Sequence, residues 1–534
     1  MSSKENFIEA IKSGYMFKGD FISVGGAMFN GECISSLPIN IPLKTLNRHG
    51  LIAGATGTGK TKTLQIITEQ LSLKSIPVLV MDIKGDLSGI AKPGVANQKI
   101  EERHAKIGTS YTAEGFPVEI LSLSEEKGVR LRATVSEFGP VLLSKILELN
   151  DTQSSFVSLI FKYCDDSHLP ILDLKDFKRV LQFISNEGKE DVEKEYGKIS
   201  TASVGTILRK VIELEQQGAE VFFGEKSFEV DDLLRIDENG RGIISIIRLT
   251  DLQDKPKLFS TFMLSLLAEI YSSFPEEGDL AQPKLVIFID EAHLIFNEAS
   301  KALLNQIETI IKLIRSKGVG VFFCTQNPTD VPASVLSQLG LKVQHALRAF
   351  TAKDRQMIKL TSENYPISEF YKTDEMLTSL GIGEAAISAL NEKGIPTPLA
   401  ATLLCAPKSR MDVLEQTEID EIVHNSKLIP KYNDTIDRES AYEILNEKLK
   451  VSQQLEADKK RSQQIPKSQS APQYKSLKRT RQTRQTKRGT EKNSFEKILT
   501  SPTTKQIGRT LAREFTRGLL GVLGLGGKSK KSFF

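Results

Sequence analysis

The segment Gly54-Ala55-Thr56-Gly57-Thr58-Gly59-Lys60-Thr61 constrains this chain more than any other. It follows a short apolar run, Gly50-Leu51-Ile52-Ala53, and opens a stretch in which Leu64, Ile67 and Leu71 recur at helical spacing. The pattern is GxxxxGK[ST] between a predicted strand and a predicted helix, the context in which that motif has a mechanism. Its glycines let backbone N–H groups curl around an anion without Cβ clashes, and the helix start adds a partial positive charge. The expectation is a phosphate-binding loop for ATP. Lys60 reaches the β- and γ-phosphates, and the Thr61 hydroxyl ligates Mg²⁺.

Short apolar runs alternating with helical patterns continue downstream, which predicts parallel strands covered on both faces. Pro77–Met81 ends in Asp82, and further strands are expected at Val118–Leu121, Ile243–Leu249, Leu285–Ile289, Val319–Cys324 and Val343–Leu347. Residues 139–236 interrupt this alternation with helical periodicity (Leu142, Ile146, Leu149, Phe156, Ile160) and read as an α-helical insertion. The expected division is then 1–45, a helix and a small β-element; 46–138 and 237–408, the two parts of the core; and 409–456, polar helices. Residues 457–500 form a disordered basic linker, and 501–534 a short amphipathic helix and tail. A β-hairpin, Glu384–Ala389 and Thr397–Leu404 around Glu392-Lys393-Gly394, closes the core.

The strand Leu285–Ile289 delivers Asp290 and Glu291 to the carboxyl edge of the sheet, where ligands of α/β folds collect. Asp290 is expected in the Mg²⁺ shell, with Glu291 as the general base that polarises the attacking water. The fold class expected is therefore α/β: a RecA-like P-loop core of the ASCE type with a parallel sheet, a helical insertion and a disordered tail. Asp290-Glu291-Ala292-His293 does not make a DEAH-box RNA helicase. Those enzymes need two tandem lobes, and only about 100 residues of core follow this segment. Gln326, after the next strand, could contact both γ-phosphate and water, or be a loop amide. Asp82, Lys84 and Asp86 fall on the same edge and could support the site, although turn chemistry also explains Asp and Gly there.

Charge divides the chain unevenly. Of 71 basic and 67 acidic residues, 20 and 3 lie from Lys459 onward, so an acidic body carries a basic tail. A flexible cationic tail (459–531) favours phosphate binding through counterion release and makes DNA a partner, but it could also be only solvated. Cys33, Cys164, Cys324 and Cys405 are too scattered for a zinc site or disulfide framework, which suggests reduced thiols. Met1–Asp20 has no secretory leader pattern and no apolar run reaches the roughly 18 residues of a membrane span, so the expected location is cytoplasmic.

Taken as a set, Asn47–Thr61, Asp82–Gly89, Leu131–Pro140, Ile314–Gly320, Thr325–Pro328 and Gln344–Phe350 resemble the HerA/FtsK superfamily of hexameric DNA-pumping ATPases. They are most similar to the bacterial HerA-like, YjgR-type group, and the likeness covers about residues 20–450. The resemblance implies an ATPase core, a homo-hexameric ring and nucleic-acid translocation, and leaves a partner nuclease open. It also implies an arginine acting on a neighbouring subunit's nucleotide at Arg315, with Arg348 as the runner-up; a helix C-terminal cation satisfying the helix dipole is the alternative for Arg315. Archaeal relatives carry an N-terminal β-barrel, for which residues 1–45, ahead of the core, are too few. A protein-remodelling or secretion-type motor would use the same core. A membrane-associated scaffold would use the basic tail with the last amphipathic helix.

Overall fold

Leu285–Ile289 and Val78–Asp82 show no polar alternation, and every residue in both is buried. Such strands belong inside a sheet with helices on both faces. The structure, a computed structural model, bears this out. It describes residues 3–250, 255–278, 280–298, 301–434, 436 and 438–463, and the chain divides into two compact units, Met1–Arg438 and Glu439–Phe534.

The first unit begins with α1 (Ser3–Gly14), β1 (Phe21–Phe29), β2 (Glu32–Pro42), β3 (Gly50–Ala53), α2 (Lys60–Leu73), β4 (Val78–Asp82), α3 (Gln98–Ile107), β5 (Val118–Ser122) and β6 (Val129–Arg130). Helices alone follow: α4 (Val135–Ile146), α5 (Asp151–Asp166), α6 (Leu174–Ser185), α7 (Lys189–Tyr196) and α8 (Thr201–Gln216). Side-chain caps at Thr134, Asn150 and Asp173 start α4, α5 and α6, each closing a capping box with the third helical residue. The core then resumes with β7 (Ile244–Arg248), α9 (Pro256–Ser273), β8 (Leu285–Ile289), α10 (His293–Glu298), α11 (Lys301–Ile314), β9 (Val319–Thr325), α12 (Ala333–Leu336) and β10 (Leu341–His345). It ends with α13 (Ala352–Ser362), α14 (Thr373–Ser379), β11 (Glu384–Ser388), β12 (Ala400–Leu404), α15 (Gln416–His424) and α16 (Ile429–Tyr432).

All strands join one 12-stranded sheet in the order β2-β1-β12-β11-β10-β3-β9-β8-β4-β7-β5-β6. From β10 to β6 neighbours run parallel; from β2 to β10 they run antiparallel. β9 lies between β3, which leads into the glycine loop, and β8, which leads into Asp290. This is a RecA-type P-loop core with an added strand between the two motif strands.

Three details differ from the sequence expectation. β10 starts at Leu341 and ends at His345 because Ala346 and Leu347 leave the sheet: Ala346 accepts a hydrogen bond from Ala55 N, and Leu347 donates one to Leu377 O. β6 has only two residues, too few for periodicity to reveal. β1 and β2 do not stand ahead of the core but extend its sheet through β12, with Gly25 opposite Leu404. A Cβ at Gly25 would stand 2.1 Å from Leu403 O, so only glycine fits there.

In the second unit, α17 spans Ala441–Gln463, with Ser440 N donating to Glu443 Oε2 at its start (3.0 Å). The helix therefore continues past residue 457, where composition alone suggested disorder. The rest of the expected linker and the terminal amphipathic helix lie outside the described residues.

Candidate active site

The loop after β3 is fastened on both sides by backbone bonds. Gly54 N donates to Thr325 O (3.3 Å), Ala55 N to Ala346 O (2.9 Å), and Gly383 N donates to Thr58 O (3.0 Å). It is thus tied to the ends of β9 and β10 and the start of β11. Gly54 adopts φ 154°, and a Cβ there would meet the Cβ of His345 at 2.5 Å. His345 is buried under the loop and its Nε2 lies 2.8 Å from the Thr63 hydroxyl of α2. Burial holds this imidazole down at about 4, so it stays neutral beside the phosphate loop.

Lys60 is buried and donates to the loop's own carbonyls, Gly54 O (2.8 Å) and Ala55 O (3.2 Å). Burial, and then the neighbouring Lys84, hold its ammonium below the usual lysine range. A cation so placed is strengthened by an arriving anion. Glu69, further along α2, accepts from the Lys408 and Ser409 N–H groups (2.8 and 3.0 Å), which fixes the helix against the segment after β12.

β4 and β8 pair in parallel with Met81 opposite Ile289, so Asp82 and Asp290 emerge side by side at the carboxyl edge. Asp290 is 4% exposed, and its Oδ2 has no hydrogen-bond partner among the described residues. Burial raises its carboxyl to about 7; Lys84 opposes the rise and the nearby Glu291 and Asp82 add to it. Asp82 is raised to about 6, again mainly by burial. A buried, unpartnered carboxylate oxygen beside other acids, with a threonine hydroxyl opening α2, is an oxygen donor set of the kind Mg²⁺ takes, so these residues fit the cation.

Glu291 is buried and sits in the left-handed region at φ 45°, a conformation that costs a non-glycine residue about 1–2 kcal/mol. Lys84 pairs with its Oε1, and His293 Nδ1 lies 3.1 Å from its Oε2. The Glu291 and Asp290 contacts outweigh burial and raise the Lys84 ammonium above its usual range. The two turns after β4 and β8 therefore meet around one carboxylate. Sequence placed Lys84 only on the same edge; its pairing with a residue more than 200 positions away leaves no local signal.

Gln326 follows β9 and is exposed. Its turn is held by Asp330 Oδ2, which accepts from the Thr325 hydroxyl (2.6 Å) and from Asn327 N (3.0 Å). Arg348 follows β10 on this same edge, but its guanidinium donates to Thr378 O (2.8 Å) and Leu380 O (3.2 Å). Arg315 is elsewhere. It is exposed at the end of α11, just before β9 begins at Val319, and so lies at the amino edge of the sheet. The loop of Gly54–Thr61, Asp290 and Glu291 thus come together, whereas Arg315 does not join them within one chain.

Another histidine escaped the sequence reading. His49 is buried before β3, its Nε2–H donating to Ile311 O (2.8 Å) while Nδ1 accepts from Val321 N (3.0 Å). It ties the last turn of α11, next to Arg315, to the strands that carry the site. Burial holds it at about 4, with Arg315 adding to the same effect.

The model of the helicase HerA-like C-terminal family matches residues 30–530. The DNA double-strand break repair helicase HerA of Sulfolobus acidocaldarius is 24% identical over 362 residues, covering 66% of this chain and 64% of that protein. Its namesake from Sulfurisphaera tokodaii is 24% identical over 376 residues, covering 68% and 66%. The chain thus spans just under two thirds of the length of these relatives. Among solved structures, the bacterial conjugative coupling protein TrwBdeltaN70 is similar with a TM-score of 0.48 at 15% identity, over 76% of this chain and 94% of that one.

Proposed function

Because the chain belongs to the helicase HerA-like C-terminal family, we propose that it is an ATP-hydrolysing ring motor that translocates DNA. The observation that carries the reading is the meeting of the Gly54–Thr61 loop with Asp290 and Glu291 at one sheet edge, with β9 between their strands. In this reading the loop's N–H groups and the start of α2 hold the phosphates of ATP. Lys60 leaves the Gly54 and Ala55 carbonyls for the β- and γ-phosphates. Thr61 and Asp290 hold Mg²⁺, which when bound neutralises charge on the phosphate oxygens. Glu291 takes the proton of the attacking water once Lys84 no longer neutralises it. Gln326, on a turn fixed by Asp330, orients that water.

The track is DNA in this proposal, supported by the names of the relatives above and by the cationic residues from Lys459 onward. Among the described residues no helix is long and apolar enough to cross a membrane. A cytoplasmic location and a partner nuclease remain part of the same proposal. The deciding measurement is the ATPase rate of the full chain with double-stranded DNA, single-stranded DNA, RNA or no polymer. Stimulation by DNA that disappears in Lys60→Ala is expected. A robust rate indifferent to every nucleic acid would favour the protein-remodelling reading instead.

A further inference from the structure

Asp82, Asp86 and Asp290 each bring a carboxylate oxygen to within 4.8 Å of the others. Asp82 ends β4, Asp290 follows β8, and Asp86 lies in the turn after β4. Asp82 is engaged by that turn. Its Oδ1 accepts from Gly85 N (2.7 Å) and Asp86 N (3.3 Å), and its Oδ2 accepts from Leu87 N (3.0 Å). These bonds fold Gly85–Leu87 back against the strand ends and so bring Asp86 toward Asp290.

The other two acids are not satisfied in this way. Asp86 Oδ1 and Asp290 Oδ2 are both buried and have no hydrogen-bond partner among the described residues. Asp290 as a whole is 4% exposed. Three ammonium groups surround the cluster and act on it through space, Lys84 on Asp290 and Lys62 on Asp86 among them, but their direct contacts are elsewhere: Lys60 with the carbonyls of Gly54 and Ala55, Lys84 with Glu291, and Lys62 with Met411 O and Gln65. Two buried carboxylate oxygens are therefore left without a direct partner among the described residues. A small hard cation meets that need, because it takes oxygen ligands and keeps waters for its remaining positions.

We propose that the divalent-cation site of this chain has two carboxylate ligands, Asp290 and Asp86, and that it holds Mg²⁺ or Mn²⁺ before nucleotide arrives. This rests on the reading of Asp290 as a cation ligand. The phosphate-bound cation of a motor with a single strand-end Asp depends largely on nucleotide for its oxygens. Here a second acid from the neighbouring turn supplies affinity of its own, and nucleotide enters a site already carrying positive charge.

The test is a titration of the nucleotide-free full chain with Mn²⁺, following the electron paramagnetic resonance signal of the free ion. The expected result is one Mn²⁺ bound per chain, with affinity lowered at least about tenfold in Asp86→Asn and in Asp290→Asn. Asp86→Glu, which keeps the charge, should retain part of the affinity; it also serves as the readout if Asp86→Asn folds poorly, as judged by its thermal melt. Absence of Mn²⁺ binding by the nucleotide-free wild type overturns the proposal and leaves Lys84 as the counter-ion of the cluster. Loss of binding in Asp290→Asn with wild-type binding in Asp86→Asn also overturns it, but leaves the Asp290 assignment standing. If neither variant changes the affinity, both assignments fall together.

Discussion

Glu291→Gln keeps the size of the side chain and removes its charge, so it separates binding from hydrolysis. Turnover is expected to fall at least about 100-fold, the range of general-base catalysis, while ATP still binds; Lys60→Ala should lose both. Filter binding of labelled ATP beside a phosphate-release assay reads the two effects, and wild-type turnover in Glu291→Gln would remove the general-base role. His49 and His345 make a prediction about pH. Both are held at about 4 in the fold, below the unfolded value near 6.5. Between those values each of these rings binds a proton in the unfolded chain but not in the native one, so its contribution to stability falls as pH drops from 6.5 toward 4. Each buried ring contributes roughly 3 kcal/mol to that loss. The raised carboxyls of Asp82 and Asp290 bind protons in the native chain over the same range and work the other way, so the effect is read as a difference. Between pH 7.5 and 5 the denaturant midpoint of His49→Gln or His345→Gln should change in the stabilising direction relative to wild type, and parallel profiles would show that the rings are not held neutral. The glycine loop, Asp290 and Glu291 were legible in sequence because local spacing sets their chemistry. His49, His345 and the Lys84–Glu291 pair were not, because each is defined by a partner brought close only by the sheet.

Among elements, the central strands were legible for the same reason that they are central. A strand buried on both faces must be apolar throughout, and β8 is Leu-Val-Ile-Phe-Ile with every residue buried. The antiparallel end of the sheet was less legible. β1 carries Gly25 and Gly26, a residue type depleted from strands, yet the chain runs through them as strand. The reason is the close approach of β12, whose Leu403 carbonyl occupies the space of a side chain. Gly25→Ala tests this directly. The obstructing atom is backbone and cannot rotate away, so the β1–β12 pairing must shift at a cost of about 1–3 kcal/mol. A lower midpoint in urea is expected. Stability equal to wild type would mean that the two strands are further apart than the structure shows. The site itself lies across the sheet on β3, β8 and β4, so the affinity of Gly25→Ala for ATP should change little.

At the scale of the whole molecule, charge and symmetry make the remaining predictions. Removing residues 459–534 takes away 20 basic and 3 acidic residues. It should leave basal ATPase intact while weakening DNA binding and flattening its salt dependence; unchanged affinity across several salt concentrations would leave the tail without that role. Arg315 concerns the ring. It stands at the amino edge of the sheet and the phosphate loop at the carboxyl edge, separated by the length of strands such as the seven-residue β9, on the order of 20 Å. No side chain crosses that distance, so Arg315 cannot act on the nucleotide of its own chain. In a ring, however, the amino edge of one subunit can face the loop of the next. Such an arginine would supply charge on the outer side of the γ-phosphate, where Lys60 and the cation do not reach, an effect worth about 10³–10⁵ in rate where arginine fingers have been measured. His49 steadies the position by holding the Ile311 carbonyl one turn earlier. Arg348 is on the correct edge for action within one chain, but its guanidinium is held by the Thr378 and Leu380 carbonyls. Arg315→Ala is therefore expected to bind ATP, assemble and hydrolyse little. Mixed with Glu291→Gln subunits it should recover part of the activity, because an interface can then pair the intact Glu291 of one parent with the intact Arg315 of the other. Full activity of Arg315→Ala alone, or no recovery in rings verified to contain both variants, would show that the site is not shared and would leave Arg315 as a cation closing its own helix.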